Sequence, residues 1–248
     1  MRFLLSNDDG IQATGLAVLE RVVRELGSVD VVAPDRERSG AGHSLTLHHP
    51  LRVAEITPAH WAVSGTPTDC VLLALEELLP ERPDWVLSGI NHGPNMGEDV
   101  TYSGTVAAAM EGTILGIPSI ALSIGGREDF QLDALEETLR RLIQMLLEFP
   151  LEANQLLNVN IPNLPPEKIR GVRVTRLGSR QYHDAVVRQQ DPRGRDYFWI
   201  GGSGPEWAMD ERSDAFAIAE GFISLTPLRL DMTDYKAIVD LESLAEQW

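Results

Sequence analysis

Short strand-like apolar runs alternate with longer amphipathic runs through the first two thirds of the chain. This alternation is typical of βαβ units, in which helices cross over a parallel sheet. We predict strands near Phe3–Ser6, Val29–Ala33, Trp85–Ser88, Ser119–Ser123 and Leu157–Ile161, and helices near Leu16–Leu26, Asp69–Leu79, Thr105–Leu115 and Leu132–Phe149. The pattern therefore predicts an α/β fold with a mostly parallel sheet packed between helices.

Two segments fall outside this alternation. Leu45–Ile56 is strand-like and predicts an antiparallel excursion. The alternation ends after Pro162. Residues 163–166 are typical of a loop, and no clear helix follows until the last residues. We predict a catalytic core over residues 1–162 and a C-terminal completion over residues 163–248, together forming one structural domain.

The C-terminal part contains a candidate β-hairpin. Ala185–Val187 and Tyr197–Ile200 flank the turn-like residues 191–195. A lone hairpin is not stable by itself, so this one, with Trp199 and Trp207, must pack on the main body or on another subunit. We favour a second subunit, which predicts an oligomer.

Composition excludes several classes of protein. With 21 Lys and Arg against 37 Asp and Glu, the net charge is −16, which disfavours a nucleic-acid polymer as partner. The single cysteine, Cys70, cannot form an internal disulfide and fits a reducing cytoplasm. Neither an apolar run of about 20 residues, which a membrane span needs, nor a signal-peptide pattern is present, so we expect a cytoplasmic protein without a membrane anchor.

Oxygen-bearing side chains follow three of the predicted strands. Asp8 and Asp9 follow the first strand, Ser39 lies in the loop after the second, and Asn91 follows Trp85–Ser88. Ligands of open parallel sheets gather where the carboxyl ends of strands meet. An all-oxygen set favours Mg²⁺, Mn²⁺ or Ca²⁺ over Zn²⁺. The alternative is that the two aspartates only form an Asx turn and cap a helix.

A second group of residues suits a phosphate. Ser103, Gly104 and Thr105 precede an alanine-rich helix, whose N-terminal N–H groups can receive an anion. Gly40 belongs to a small-residue loop that can approach the same anion, and Asn95 is a further contact. A plain Ser or Thr helix cap is the alternative. Taken with the cation ligands, these residues predict metal-assisted cleavage of a phosphate ester, with Asp8 and Asp9 as the catalytic carboxylates.

The chain resembles the SurE family of stationary-phase survival proteins over nearly its whole length. The stretches that carry the resemblance are Leu4–Ile11, Val32–Arg36, Arg38–Ala41, Ser44–Leu47, Gly65–Val71, Ser88–Asn91, Tyr102–Val106, Asn158–Pro162 and Gln190–Gly194. The resemblance implies a Rossmann-like three-layer core with a C-terminal hairpin extension. It also implies hydrolysis of nucleoside 5′- and 3′-monophosphates, and cleavage of short polyphosphate by some members.

The resemblance further implies one Mg²⁺ or Mn²⁺ per subunit, held by Asp8, Asp9, Ser39 and Asn91. The tail would exchange its hairpin and terminal elements between subunits, giving a homodimer or homotetramer. Thr14, His43 and Met96 depart from the family pattern beside these ligands, which bears on substrate preference. Attack on phosphorus by water and attack by Asp8 both remain open. A nucleotide sensor without hydrolysis and an assembly protein are the alternative functions.

Overall fold

The computed structural model describes residues 1–126, 130–181, 186–200, 206–208, 210–246 and 248. These residues form thirteen strands and six α-helices. The strands are β1 (Arg2–Ser6), β2 (Ser28–Pro34), β3 (Val53–Thr57), β4 (His60–Val63), β5 (Trp85–His92), β6 (Ser119–Ile124), β7 (Gln155–Ile161), β8 (Val172–Val174), β9 (Arg180–Gln181), β10 (Val186–Gln190), β11 (Asp196–Ile200), β12 (Glu206–Trp207) and β13 (Ile223–Arg229). The helices are α1 (Thr14–Arg24), α2 (Pro67–Leu73), α3 (Gly104–Ile114), α4 (Glu136–Leu147), α5 (Asp214–Ala219) and α6 (Tyr235–Ala245).

Nine of these strands form one central sheet, in the order β3-β4-β2-β1-β5-β6-β7-β13-β8. The pairs from β4 through β2, β1, β5 and β6 to β7 are parallel, as is β13 with β8. Only β3 with β4 and β13 with β7 are antiparallel among the described pairs of this sheet. The predicted α/β fold with a mostly parallel sheet is confirmed.

Helices cover both faces of the sheet. Along β1, Phe3 and Leu5 face a core that contains side chains of α1 and α4. Leu4, on the opposite face, packs in a second core with Cys70 of α2 and Ala108 of α3. Successive strand residues point to opposite faces, so these runs are apolar throughout because both faces are buried. Among the described residues, no helix has the length and apolar character of a membrane span.

The predicted helix over Asp69–Leu79 is shorter in the structure: α2 ends at Leu73, and a wider π-helical turn continues over Ala74–Leu78. The predicted helix over Leu132–Phe149 begins with a 3₁₀ turn at Asp133–Leu135 before α4. Such differences at helix ends reflect local capping, which periodicity does not specify.

The antiparallel excursion predicted over Leu45–Ile56 is confirmed only in part. β3 pairs antiparallel with β4, but residues 45–52 form no strand. The backbone N–H of Thr46 donates to Asp69 Oδ1 at 2.9 Å instead of joining a ladder, and Pro50 has no N–H to donate.

The C-terminal part supplies two strands of the central sheet, β8 and β13. It also contains α5, so the prediction of no clear helix before the last residues is wrong. This six-residue helix begins after Ser213, whose side chain accepts the Phe216 N–H at 3.2 Å. Six residues are too few to display a helical period in the sequence.

The predicted hairpin is confirmed as the antiparallel pair β10 and β11, in which Val186 lies opposite Ile200. Ala185 lies outside the described residues. Side chains of the hairpin are exposed, with Trp199 at 63% and Ile200 at 93% of full exposure. Helix α6 likewise buries none of its described residues in this chain.

Candidate functional site

Asp8 follows β1 directly and is buried, with only 4% of its surface exposed. Its Oδ1 accepts a hydrogen bond from Thr105 Oγ1 at the start of α3. A Cβ on Gly104 would lie 2.7 Å from Asp8 Cβ, so the absence of a side chain lets the helix begin against the carboxylate. Ser103 caps this helix by accepting the Val106 N–H at 3.1 Å, which uses its hydroxyl oxygen as an acceptor and does not use its hydroxyl proton.

Asp9 lies beside the end of β5. Its Oδ2 accepts the backbone N–H of His92 at 3.3 Å, and His92 follows Asn91. Asn91 Nδ2 donates to the Gly93 carbonyl at 2.7 Å, which engages the amide nitrogen and leaves the side-chain oxygen as the atom suited to a cation. A Cβ on Gly15 would lie 2.0 Å from the Ile90 carbonyl oxygen, so α1 also begins at this edge.

The loop after β2 is held at the same edge of the sheet by two backbone hydrogen bonds, which we call its pins. The Arg38 N–H donates to the Asp8 carbonyl at 2.7 Å, and the Gly42 N–H donates to the Tyr102 carbonyl at 3.1 Å. Ser39 and Gly40 lie between these two pins and are exposed. Ser39 Oγ donates to Glu37 at 2.8 Å. The structure thus brings the loop of Ser39 and Gly40 to the edge that carries both aspartates, Asn91 and the start of α3.

Asn95 is buried and held by the neighbouring strands β6 and β7. Its Nδ2 donates to Ser123 Oγ at 2.8 Å, and its backbone N–H donates to Asn160 Oδ1 at 2.8 Å. The Asn95 carbonyl accepts from Asn158 Nδ2 at 2.8 Å and from Asn160 Nδ2 at 2.9 Å. The sequence analysis assigned no role to Asn158 and Asn160. Their position in an otherwise apolar strand is a signal, because a buried side-chain amide needs a hydrogen-bond partner.

We expect Asn160→Ala to lower the free energy of unfolding by about 3 kcal/mol, because two buried hydrogen bonds to the Asn95 backbone are lost. Asn158→Ala removes one such bond, and Asn158 Oδ1 has no hydrogen-bond partner among the residues that the structure describes, so a loss of about 1 kcal/mol is expected. Urea denaturation of the two variants measures both values. Equal decreases in the free energy of unfolding for the two variants would contradict the larger contribution expected from the Asn160 hydrogen bonds.

Asp214 was also missed by sequence reasoning. This buried carboxylate at the start of α5 accepts the N–H groups of Gly97 at 2.9 Å, Gly178 at 2.8 Å and Ala215 at 2.8 Å. Burial raises its pKa, and the three backbone N–H groups act in the opposite direction. Asp214 therefore ties the C-terminal part to the loop that connects β5 with α3.

The two aspartates carry an electrostatic cost in this site. Burial raises the pKa of Asp8, and the nearby charge of Asp9 raises it further. Burial also raises the pKa of Asp9. A cation beside the pair would offset this cost. In the part of the chain that the structure describes, no three His, Cys, Asp or Glu side chains cluster as a metal site. Two carboxylates with neutral oxygens form a donor set of the kind that hard cations prefer.

The fold and this edge define a class: an α/β protein with a paired-carboxylate site at the carboxyl ends of adjacent parallel strands, facing the start of a helix. A sequence profile of the family described as "Survival protein SurE" matches residues 3–184. The chain belongs to the SurE family, as the sequence resemblance predicted.

Relatives support the same assignment over nearly the full length. The chain is 59% identical to 5′-nucleotidase SurE of Gemmatimonas aurantiaca, over 94% of each chain. It is 50% identical to 5′-nucleotidase SurE of Geobacter metallireducens, over 98% of this chain and 97% of the relative. The crystal structure of SurE protein from Aquifex aeolicus is similar with a TM-score of 0.89 and 45% identity, over 99% of this chain and 100% of that one.

Proposed function

We propose that this protein hydrolyses nucleoside 5′-monophosphates to nucleoside and phosphate, with the help of one divalent cation, Mg²⁺ or Mn²⁺. The observation that carries the proposal is the contact between the buried Asp8 and the N-terminus of α3, in which a carboxylate suited to a cation lies beside a helix end suited to a phosphate. The relatives at 59% and 50% identity bear the name 5′-nucleotidase, which supports the same activity.

Asp8, Asp9, Ser39 and Asn91 are the proposed cation ligands. When bound, the cation supplies positive charge that offsets the two carboxylates and polarises a phosphate oxygen. Burial raises the pKa of both aspartates and so disfavours their charged forms. A nearby positive charge would therefore stabilise these two carboxylates. Ser39 and Asn91 add neutral oxygens, so the ligand set keeps a low negative charge toward an anionic substrate.

The start of α3 is the proposed phosphate cradle. Backbone N–H groups of Gly104 and Thr105 lie at the positive end of an eleven-residue helix, where an anion is stabilised. The Thr105 hydroxyl donates to Asp8 and so fixes the carboxylate next to this end. Ser103 and the exposed Gly40 complete the cradle, and Asn95 borders it through the network on β6 and β7.

Three finer statements belong to the proposal. Activity on 3′-monophosphates and on short polyphosphate is proposed from the family resemblance alone. A cytoplasmic location is proposed because the single cysteine, Cys70, is buried and unpaired, as is usual in a reducing compartment. We keep a nucleotide sensor as the second candidate function, because phosphate capture and phosphate cleavage use the same ligands.

Phosphate release from a panel of substrates tests this proposal. The panel contains 5′- and 3′-nucleoside monophosphates and short polyphosphate, each with EDTA, Mg²⁺ or Mn²⁺. We expect many turnovers per protein molecule with a metal and none with EDTA. Binding of nucleotide without turnover under every metal would defeat the hydrolase proposal and favour the sensor.

We also propose a homodimer or homotetramer built through the hairpin of β10 and β11 and through α6. Both elements expose large apolar side chains, which a monomer in water rarely does over such an area. The double change Phe198→Ser and Trp199→Ser is expected to lower the molar mass measured by light scattering to that of a smaller assembly. Phe149→Ser, at a similarly exposed site after α4, is the control and leaves the mass unchanged. An unaltered mass in the hairpin variant would contradict the proposal.

A further inference from the structure

The loop that carries Ser39 is short, and Ser39 and Gly40 are exposed. Its first pin is the Arg38 N–H on the Asp8 carbonyl at 2.7 Å, and its second is the Gly42 N–H on the Tyr102 carbonyl at 3.1 Å. Between them Gly40 has a φ of +74°, and a Cβ there would meet nothing within 4 Å. Packing therefore does little to hold this part of the loop, and its position depends on the pins.

A third pin is made by side chains. His43 Nε2 lies 2.9 Å from Glu111 Oε2 on α3. The Glu111 side chain is only 8% exposed and that of His43 is 31% exposed. A buried carboxylate is costly without a partner, so this pair has a strong reason to stay formed.

The position of Glu111 on α3 links this pin to the proposed site. Glu111 follows Gly104 by seven residues, which is about two helical turns, so both lie on one stripe of the helix about 10 Å apart. Gly104 is the residue that packs against Asp8. His43 of the loop therefore contacts the helix stripe whose N-terminal end lies at the Asp8 carboxylate.

We propose that the His43–Glu111 pair is a lock that positions the Ser39 loop against α3 and thereby sets the affinity of the site for its cation. This inference rests on the proposed function, because it assumes Ser39 to be a cation ligand. His43 and Glu111 act through the loop, as positioning residues. The first two pins use backbone atoms. Of the side-chain contacts of the loop, Arg38 donates to the Ser64 carbonyl at 3.1 Å, whereas His43–Glu111 joins the loop to α3 and is therefore the contact that substitution can remove between the loop and this helix.

The chain offers a matched control for this lock. His60 Nε2 lies 2.9 Å from Glu20 Oε1, the same separation, with side chains 21% and 20% exposed. This second pair joins β4 to α1. Loss of either pair removes one partly buried His–carboxylate contact, and Glu20 keeps its ion pair with Arg24. Of the two pairs, His43–Glu111 is the one that joins the Ser39 loop to α3.

The experiment measures the Kd of Mn²⁺ alone on the metal-free protein, by the EPR signal of free Mn²⁺, with Tm recorded for every variant. We expect His43→Ala and Glu111→Ala each to raise the Kd about 10-fold, the lower end of the effect of residues that orient metal ligands. The double variant is expected to have the same Kd for Mn²⁺ as either single variant, because all three lose the same contact. His43→Gln keeps a side-chain N–H donor and restores most of the affinity, and His60→Ala keeps the wild-type Kd.

A Kd within 2-fold of wild type in His43→Ala would overturn the lock, as would an equal rise in His60→Ala. If His43→Ala does not fold, His43→Asn takes its place, since its amide is too short to reach Glu111. Phosphate release by the wild type is measured separately. Absence of turnover defeats the proposed function, while the Mn²⁺ comparison still decides on the lock.

Discussion

Asp8→Asn is expected to lower the rate of phosphate release by at least about 10³-fold, while it raises the Tm of the metal-free protein. Loss of a proposed cation ligand removes activity. The rise in stability follows from burial, which raises the pKa of Asp8 in the folded chain. Such a group stabilises the fold below its unfolded pKa, and that contribution is lost as pH rises through the folded pKa. At neutral pH a neutral amide avoids this cost and can still accept the Thr105 hydroxyl.

Asp30→Asn is the control for this prediction. Burial also raises the pKa of Asp30, which lies in β2 away from the carboxyl edge. The same chemical change there is expected to leave turnover at the wild-type rate. Kinetics and thermal melts in EDTA measure both quantities. Substantial turnover by Asp8→Asn would remove Asp8 from the catalytic group, and a lower Tm would contradict the electrostatic account.

Gly104→Ala is expected to lower kcat/KM about 10²-fold, with a weaker affinity for Mn²⁺. The new methyl would lie 2.7 Å from Asp8 Cβ and 3.0 Å from Asp8 Oδ2, so either the carboxylate or the start of α3 must move. A shift of about 1 Å at a site of this kind is enough for such a loss. Steady-state kinetics and a Mn²⁺ titration measure the effect.

Gly112→Ala tests whether any added methyl on α3 has this effect. A Cβ on Gly112 would lie 2.5 Å from Ser119 Oγ and 2.8 Å from Val86 Cγ2, so the same helix is crowded two turns further on. We expect lower stability there, but less than a 10-fold change in kcat/KM. Equal losses of activity in the two variants would mean that Asp8 is not specifically displaced by Gly104→Ala.

Much of the fold could be predicted because the sequence alternates between short apolar runs, which are typical of buried strands, and longer amphipathic runs, which are typical of helices. All five predicted strands of the parallel sheet are present, since fully buried strands are apolar on both faces. The edge of the site followed from the same alternation, because parallel strands place their carboxyl ends together. Asp8, Asp9 and Asn91 could thus be assigned to one edge without any contact being known.

The remaining features depend on contacts between distant parts of the chain. Asn160 meets Asn95 across 65 residues, Asp214 meets Gly97 across 117, and Glu111 meets His43 across 68. No local pattern marks such partners. Residues 45–52 have a strand-like pattern, but the Thr46 N–H donates to the side chain of Asp69, 23 residues away, and the local pattern does not reveal this contact.

Anomalous diffraction from crystals of this protein soaked in Mn²⁺ would locate the proposed cation. We predict one strong anomalous peak per chain, in contact with oxygens of Asp8, Asp9, Ser39 and Asn91 and next to the start of α3. A peak bound by other residues, or none at a Mn²⁺ concentration that supports full phosphate release, would contradict this prediction.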